Sequence, residues 1–163
     1  MIEQSNLKQI LSYDCESGVF TWLRPKPNQV LAGTEAGWIE PSGYRRISIR
    51  GKNYQAHRLA WLYMTGELPV GQVDHRNLNK SDNRWCNLRL ATNSQNQANR
   101  PASKRSSSGC KGVYWHKRIR KWQASIMVGG RLRCLGYREN QAEAVSLYAA
   151  AAKEYFGEFA RVA

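Results

Sequence analysis

No stretch of the 163-residue chain approaches the ~18 consecutive apolar residues of a membrane-spanning helix, which excludes that class. The opening residues, MIEQSNLKQIL, carry an early acid and no apolar core of signal-peptide length, so nothing there indicates export and a cytoplasmic protein is expected. Cysteine is sparse. Cys15, Cys86, Cys110 and Cys134 are far apart and none forms a C-x-x-C pair, which argues against a zinc ribbon and predicts buried or half-buried thiols in a reducing compartment. Acidic residues are the most telling shortage. All twelve lie outside residues 83–138, where thirteen of the 25 Lys and Arg stand, so the remaining twelve bases balance the acids and the net charge of +13 belongs to that block. An acid-free basic stretch of this length repels itself unless a polyanion is near, and a phosphate backbone is the obvious counter-charge.

What is present divides by periodicity. Leu7 to Leu11 reads as a short helix after a Ser5 cap, and Gly18 to Leu23 alternates like a strand. Tyr44 to Arg50 and Tyr54 to Ala56 read as a hairpin about Gly51 and Lys52, and His57 to Thr65 as a helix stopped by Gly66. His57, beside Leu59, Trp61 and Leu62, reads as a satisfied structural residue. RPASKRSSSG, residues 100–109, has the composition of a linker. Beyond it, Gly112 to Trp115, Trp122 to Val128 and Arg131 to Leu135 read as three strands, with Gly129-Gly130 as a two-residue turn. Val145, Tyr148, Ala149, Ala152 and Phe156 then form one apolar helical stripe between an Asn140 cap and a Gly157 stop. The fold class is therefore α+β, and Trp115 and Trp122 are expected in the core.

The segment VDHRNLNKSDNRWCNLRLATNSQNQANR, residues 73–100, carries the chemistry. It sets Asp74 beside His75 and follows them with Asn87 and Asn96. A carboxylate can hold a hard cation through oxygen, while a neutral imidazole can take a proton near pH 7. On a strand, neighbours point to opposite faces, so Asp74 can face a metal while His75 reaches the water beside it. Asn87 opens a second strand, Thr92 to Ser94 offer helix caps, and Asn96 then falls in the first helical turn.

These residues resemble the HNH endonuclease motif in the form carried by phage-borne and intron-borne homing endonucleases, where Asn replaces the final His. The resemblance implies a ββα-metal module over residues 1–99, with its strand and helix extension upstream. It implies His75 as general base, Asn87 as the brace of the loop bearing it, and Asp74 and Asn96 as ligands of one Mg²⁺ or Mn²⁺ per active site. A second resemblance covers Ser108 to Ala160, through SGCKGVYWHKRIRKWQASI, LGY and AEAVSLYAAAAKEYFGEFA. It is to the AP2 DNA-binding domain, known from plant transcription factors and phage endonucleases, and implies a domain at 110–163 whose three-stranded antiparallel sheet lies in the DNA major groove with one helix behind. Tyr114, Ser125 and Met127 replace residues that are commonly charged in that family, and the segment between His116 and Trp122 is one residue longer. Backbone binding is therefore implied and sequence preference is not. The candidate DNA contacts are Lys111, Tyr114, His116, Lys117, Arg118, Arg120, Lys121, Arg131 and Arg133, of which alternation allows about half on each strand to face the groove.

Together these readings predict a homing-type endonuclease that acts on double-stranded DNA, in the host cytoplasm if phage-encoded. No membrane or protein partner is implied. Two rivals are a DNA-binding regulator with an inert nuclease module and an RNA-directed protein. Retention of Asp74, His75, Asn87 and Asn96 together favours the enzyme over the first, and competition between duplex DNA and RNA discriminates the second.

Overall fold

The computed structural model of the chain describes residues 2–25, 31–104 and 106–162, which divide into two compact units, Met1–Ala91 and Thr92–Ala163. In the first unit, helix α1 (Gln4–Ile10) runs directly into β1 (Leu11–Tyr13), which pairs antiparallel with β2 (Phe20–Trp22). The helix starts earlier than its apolar residues suggest. Glu3 is its N-cap and makes no side-chain bond, so Ser5 lies inside the first turn. Strands β3 (Trp38–Ile39), β4 (Arg45–Ile49) and β5 (Lys52–Gln55) form an antiparallel sheet in that order. Helix α2 (Ala56–Thr65) follows and ends on Gly66, whose φ of 89° is the left-handed conformation that glycine adopts without strain.

The core of this unit explains why the next hairpin stands where it does. Leu7, Leu11, Phe20, Ile47, Leu59 and Leu62 are essentially inaccessible to solvent, each stabilising the fold by about 1.5–3 kcal/mol. Val73 and Leu88 join the same cluster. They belong to β6 (Gln72–His75) and β7 (Leu88–Ala91), which pair antiparallel with Val73 opposite Leu90, Asp74 opposite Arg89 and His75 opposite Leu88. The strands carrying the Asp-His pair are thus anchored to the core at both ends of the dipeptide. Leu90, opposite Val73, is exposed.

In the second unit, α3 (Asn93–Asn99) has a capping box: Thr92 accepts from the Gln95 amide, and the Gln95 side chain accepts from that of Thr92. Strands β8 (Val113–His116), β9 (Lys121–Val128) and β10 (Arg131–Arg138) form an antiparallel sheet with β9 central. Gly129 and Gly130 both have positive φ, as a two-residue hairpin turn of this kind requires. Helix α4 (Gln141–Phe156) begins on Asn140, whose side chain accepts from the Ala142 amide. Ala144, Tyr148 and Ala152 of α4 pack with Val113, Ala124 and Ile126 of the sheet. The alanines let helix and sheet approach closely. Gly112 is needed for the same reason, since a Cβ there would lie 2.2 Å from the Ser125 carbonyl and 2.5 Å from the Tyr148 ring.

Several expectations change. Trp115 is 42% exposed, because it lies toward the end of β8 beyond the buried Val113, and only Trp122 packs against the core. Cys15, Cys86 and Cys134 are exposed and Cys110 half-buried, so the prediction of sheltered thiols fails for three of four. They stand in turns and on an edge strand, where little covers them. The two units part at Ala91/Thr92, ahead of the 100–109 linker segment, of which Arg105 lies outside the described residues. No helix among the described residues is long and apolar enough to cross a membrane.

Candidate active site

The β6–β7 hairpin turns Asp74 and His75 to opposite faces, and each meets its own environment. His75 is buried, and its Nε2 lies 3.2 Å from Oδ1 of Asn83. Asn83 is held by several bonds. Its carbonyl accepts from the Tyr13 hydroxyl at 2.7 Å and its Nδ2 donates to the Ser81 carbonyl at 3.2 Å. Gly18 allows this backbone to come close, since a Cβ at residue 18 would lie 2.3 Å from the Arg84 nitrogen.

That arrangement sets the tautomer. With Nδ2 of Asn83 spent on a carbonyl, its Oδ1 faces His75 and can only accept, so the imidazole proton resides on Nε2 and Nδ1 carries the lone pair. Burial pushes the His75 pKa below its usual value, outweighing the Asn83 hydrogen bond and the charge of Asp74, which push it up. The ring is therefore neutral at pH 7, the state a base requires.

Asn87 differs from its expected place but holds the loop as a brace would. It sits in a single 3-10 turn (Trp85–Asn87) rather than opening β7. Its Oδ1 accepts from the Asn77 amide at 3.0 Å, its Nδ2 donates to the Asp82 carbonyl at 2.8 Å, and its own carbonyl accepts from the Arg76 amide at 2.9 Å. It thus ties both ends of the loop that follows His75, while the bond to the imidazole comes from Asn83. The spacing alone did not single out Asn83 among the asparagines of this segment.

His57 is also more closely involved than expected. It is 5% exposed, its ring centroid lies 5.1 Å from that of His75 at 80°, and the Tyr44 ring lies tilted against both at 5.2 and 6.0 Å. Its Nδ1 is buried without a hydrogen-bond partner, so the expected satisfied residue is not one. Burial pushes its pKa down to about 3, with His75 and Arg58 adding to the effect, so this ring too is neutral.

On the other face, Asp74 and Arg89 are cross-strand partners and form a buried ion pair. Both Nε and a terminal nitrogen of Arg89 reach the same carboxylate oxygen, Oδ2, at 2.9 Å. A carboxylate offers about four lone-pair positions. A carboxylate is a hard oxygen donor, so the donor chemistry fits Mg²⁺ or Mn²⁺. Among the described residues no group of three or more His, Cys, Asp or Glu is arranged to hold a metal. Asn96 stands in the first turn of α3, in the second unit, half-buried.

The basic candidates of the second unit do not share one surface. Tyr114, His116 and Lys121 lie on one face of the sheet by strand register, with Lys117, Arg118 and Arg120 exposed in or beside the β8–β9 turn. Arg131 and Arg133 pair with Val128 and Ile126, so alternation places them on the α4 side. There Arg133 donates to the Tyr155 hydroxyl at 3.3 Å and lies over its ring. Lys111 is turned inward. Its ammonium donates to the carbonyls of Gln97, Ala98 and Arg100 at the end of α3, and burial, with Arg161 nearby, pushes its pKa down to about 8.

Residues 54–98 match the model of a protein family described as HNH endonuclease, a span that holds Asp74, His75, Asn87 and Asn96. The chain is 30% identical over 106 residues to protein 3.8 of Escherichia phage T7, covering 64% of this chain and 87% of that protein. It is 35% identical over 127 residues to the uncharacterized HNH endonuclease L560 of Acanthamoeba polyphaga mimivirus, over 76% of this chain and 64% of that one. It therefore spans just under two thirds of the mimivirus protein. Among solved structures, that of the HNH homing endonuclease I-HmuI, in a study of its DNA binding and cleavage, has 27% identity and a TM-score of 0.43. That likeness covers 55% of this chain and 51% of the other.

Proposed function

Since this chain belongs to the family of phage T7 protein 3.8 and carries an HNH endonuclease segment, we propose that it hydrolyses phosphodiester bonds of double-stranded DNA with His75 as general base. The observation that carries this reading is the Asn83 hydrogen bond, which holds a buried neutral imidazole with its basic nitrogen at Nδ1. Nδ1 takes a proton from water, the water oxygen bonds to phosphorus, and the 3′ oxygen leaves. The charge gained by the ring strengthens the Nε2–H bond to Asn83, because ionised donors form the stronger bonds. A positioned base of this kind contributes roughly 10²–10⁴-fold. Asn87 keeps the following loop closed against the hairpin, so that Asn83 stays within reach of the ring.

Asp74 and Asn96 are the residues that would hold the divalent cation, as the HNH resemblance implies. When bound, that ion supplies Lewis-acid stabilisation of charge developing on the phosphate and the departing oxygen. Arg89 orients the Asp74 carboxylate through two bonds to one oxygen.

The second unit is proposed to be an AP2-like DNA reader. The support is its three-stranded sheet backed by one helix, together with the acid-free basic stretch. Tyr114, His116, Lys117, Arg118, Arg120 and Lys121 are the proposed contacts. Arg131 and Arg133 would reach only flanking phosphates, and Lys111 serves the end of α3 instead. Tethering such a reader to a small cleavage module raises the local concentration of each on its site.

The pH profile tests the chemistry. A base must be deprotonated to act, and the His75 pKa is lowered from 6.5. The acid limb of the single-turnover cleavage rate is therefore expected below pH 6.5. A limb at or above that value would show that a buried, desolvated His75 is not the group being titrated.

A further inference from the structure

Lys80 projects from the loop between β6 and the Trp85–Asn87 turn, five residues after His75. Its ammonium donates to the Ser42 carbonyl at 3.0 Å and lies 4.8 Å from the centroid of the Tyr44 ring. Its stem passes over Gly43, where a Cβ would sit 3.7 Å from the lysine Cδ. Tyr44 is the ring that packs near His75 and His57. The turn Ser42–Tyr44 is thus a cradle that holds one cation across the Tyr44 ring from the proposed base.

An exposed lysine ordinarily samples many rotamers, and a surface ammonium usually finds a carboxylate or water. Here the side chain is fixed by a carbonyl and a ring. No carboxylate among the described residues pairs with it. Asp82, the nearest acid along the chain, is engaged by Arg84 at 2.6 Å and by the side-chain Nδ2 of Asn77, which donates to it at 2.6 Å. Lys80 itself remains exposed to solvent. An ordered cation near the base, with no carboxylate paired to it among the described residues, is arranged for an anion that arrives from outside.

We propose that Lys80 contacts a backbone phosphate of duplex DNA at or next to the scissile position, with Ser42, Gly43 and Tyr44 as its cradle. The proposal rests on the nuclease reading above for the position of the phosphate, but the contact can be measured without cleavage. The affinity of the full chain for a duplex is titrated with salt in EDTA, for wild type, Lys80→Met and Lys80→Arg, and single-turnover rates are then measured in Mg²⁺. Lys80→Met is expected to reduce the slope of log K against log salt by about one, the signature of one lost phosphate contact. It should also slow cleavage roughly tenfold or more at saturating DNA. Lys80→Arg should restore the slope. Being exposed, Lys80 should leave the melting temperature unchanged on substitution. An unaltered slope in Lys80→Met overturns the proposal whatever the rates do. A wild-type protein that binds but cleaves nothing refutes the nuclease reading, while the slope still decides the lysine.

Discussion

Replacing His75 with Ala is expected to lower the single-turnover rate of DNA cleavage by on the order of 10²–10⁴-fold, with DNA affinity held within about twofold. The reason lies in where the ring sits. His75 is buried among His57, Tyr44 and Asn83, and it is not one of the basic side chains that would supply most of the binding. Losing the ring removes the proton acceptor and leaves the phosphate contacts in place. Measuring rate and affinity on the same duplex separates these effects, with a melting curve to show that the variant is folded. A variant that cleaves like wild type removes His75 from the base role.

Asp74→Ala should have two consequences, and they can be told apart. The residue forms a buried pair with Arg89, in which both side chains are about 5% exposed. Removing one partner strands a guanidinium in the interior, which costs about 3–5 kcal/mol. Asp74→Ala is therefore expected to unfold at a lower urea concentration than wild type as well as to lose metal-dependent cleavage. Adding Arg89→Leu should recover most of the stability, because a buried pair replaced by apolar side chains is often neutral. It should recover none of the cleavage. If Asp74→Ala is as stable as wild type, the pair does not stabilise the hairpin. If the double variant regains activity, the carboxylate served the fold alone.

Much of this was readable from local pattern. The Asp-His alternation on β6, the Thr92 cap, the Gly66 and Gly157 stops and the apolar stripe of α4 each depend on residues within a few positions of one another. What escaped depends on how the chain returns on itself. Asn83 is one of many asparagines in its segment, and only the closure of the 76–87 loop brings it to His75. Arg89 could have been found by working out the hairpin register, which puts it opposite Asp74. The same exercise on β9 and β10 would have moved Arg133 to the α4 face, opposite Ile126. Lys111 carried no such signal, since its role depends on how α3 ends.

A base and a cation acting together on a phosphate ester carry the proposed reaction, and conversion of supercoiled plasmid tests this most directly. Wild-type protein in Mg²⁺ or Mn²⁺ should yield nicked or linear DNA, and excess EDTA should stop it. Cleavage that persists in EDTA, or plasmid left intact in both metals at protein concentrations that saturate binding, would contradict it.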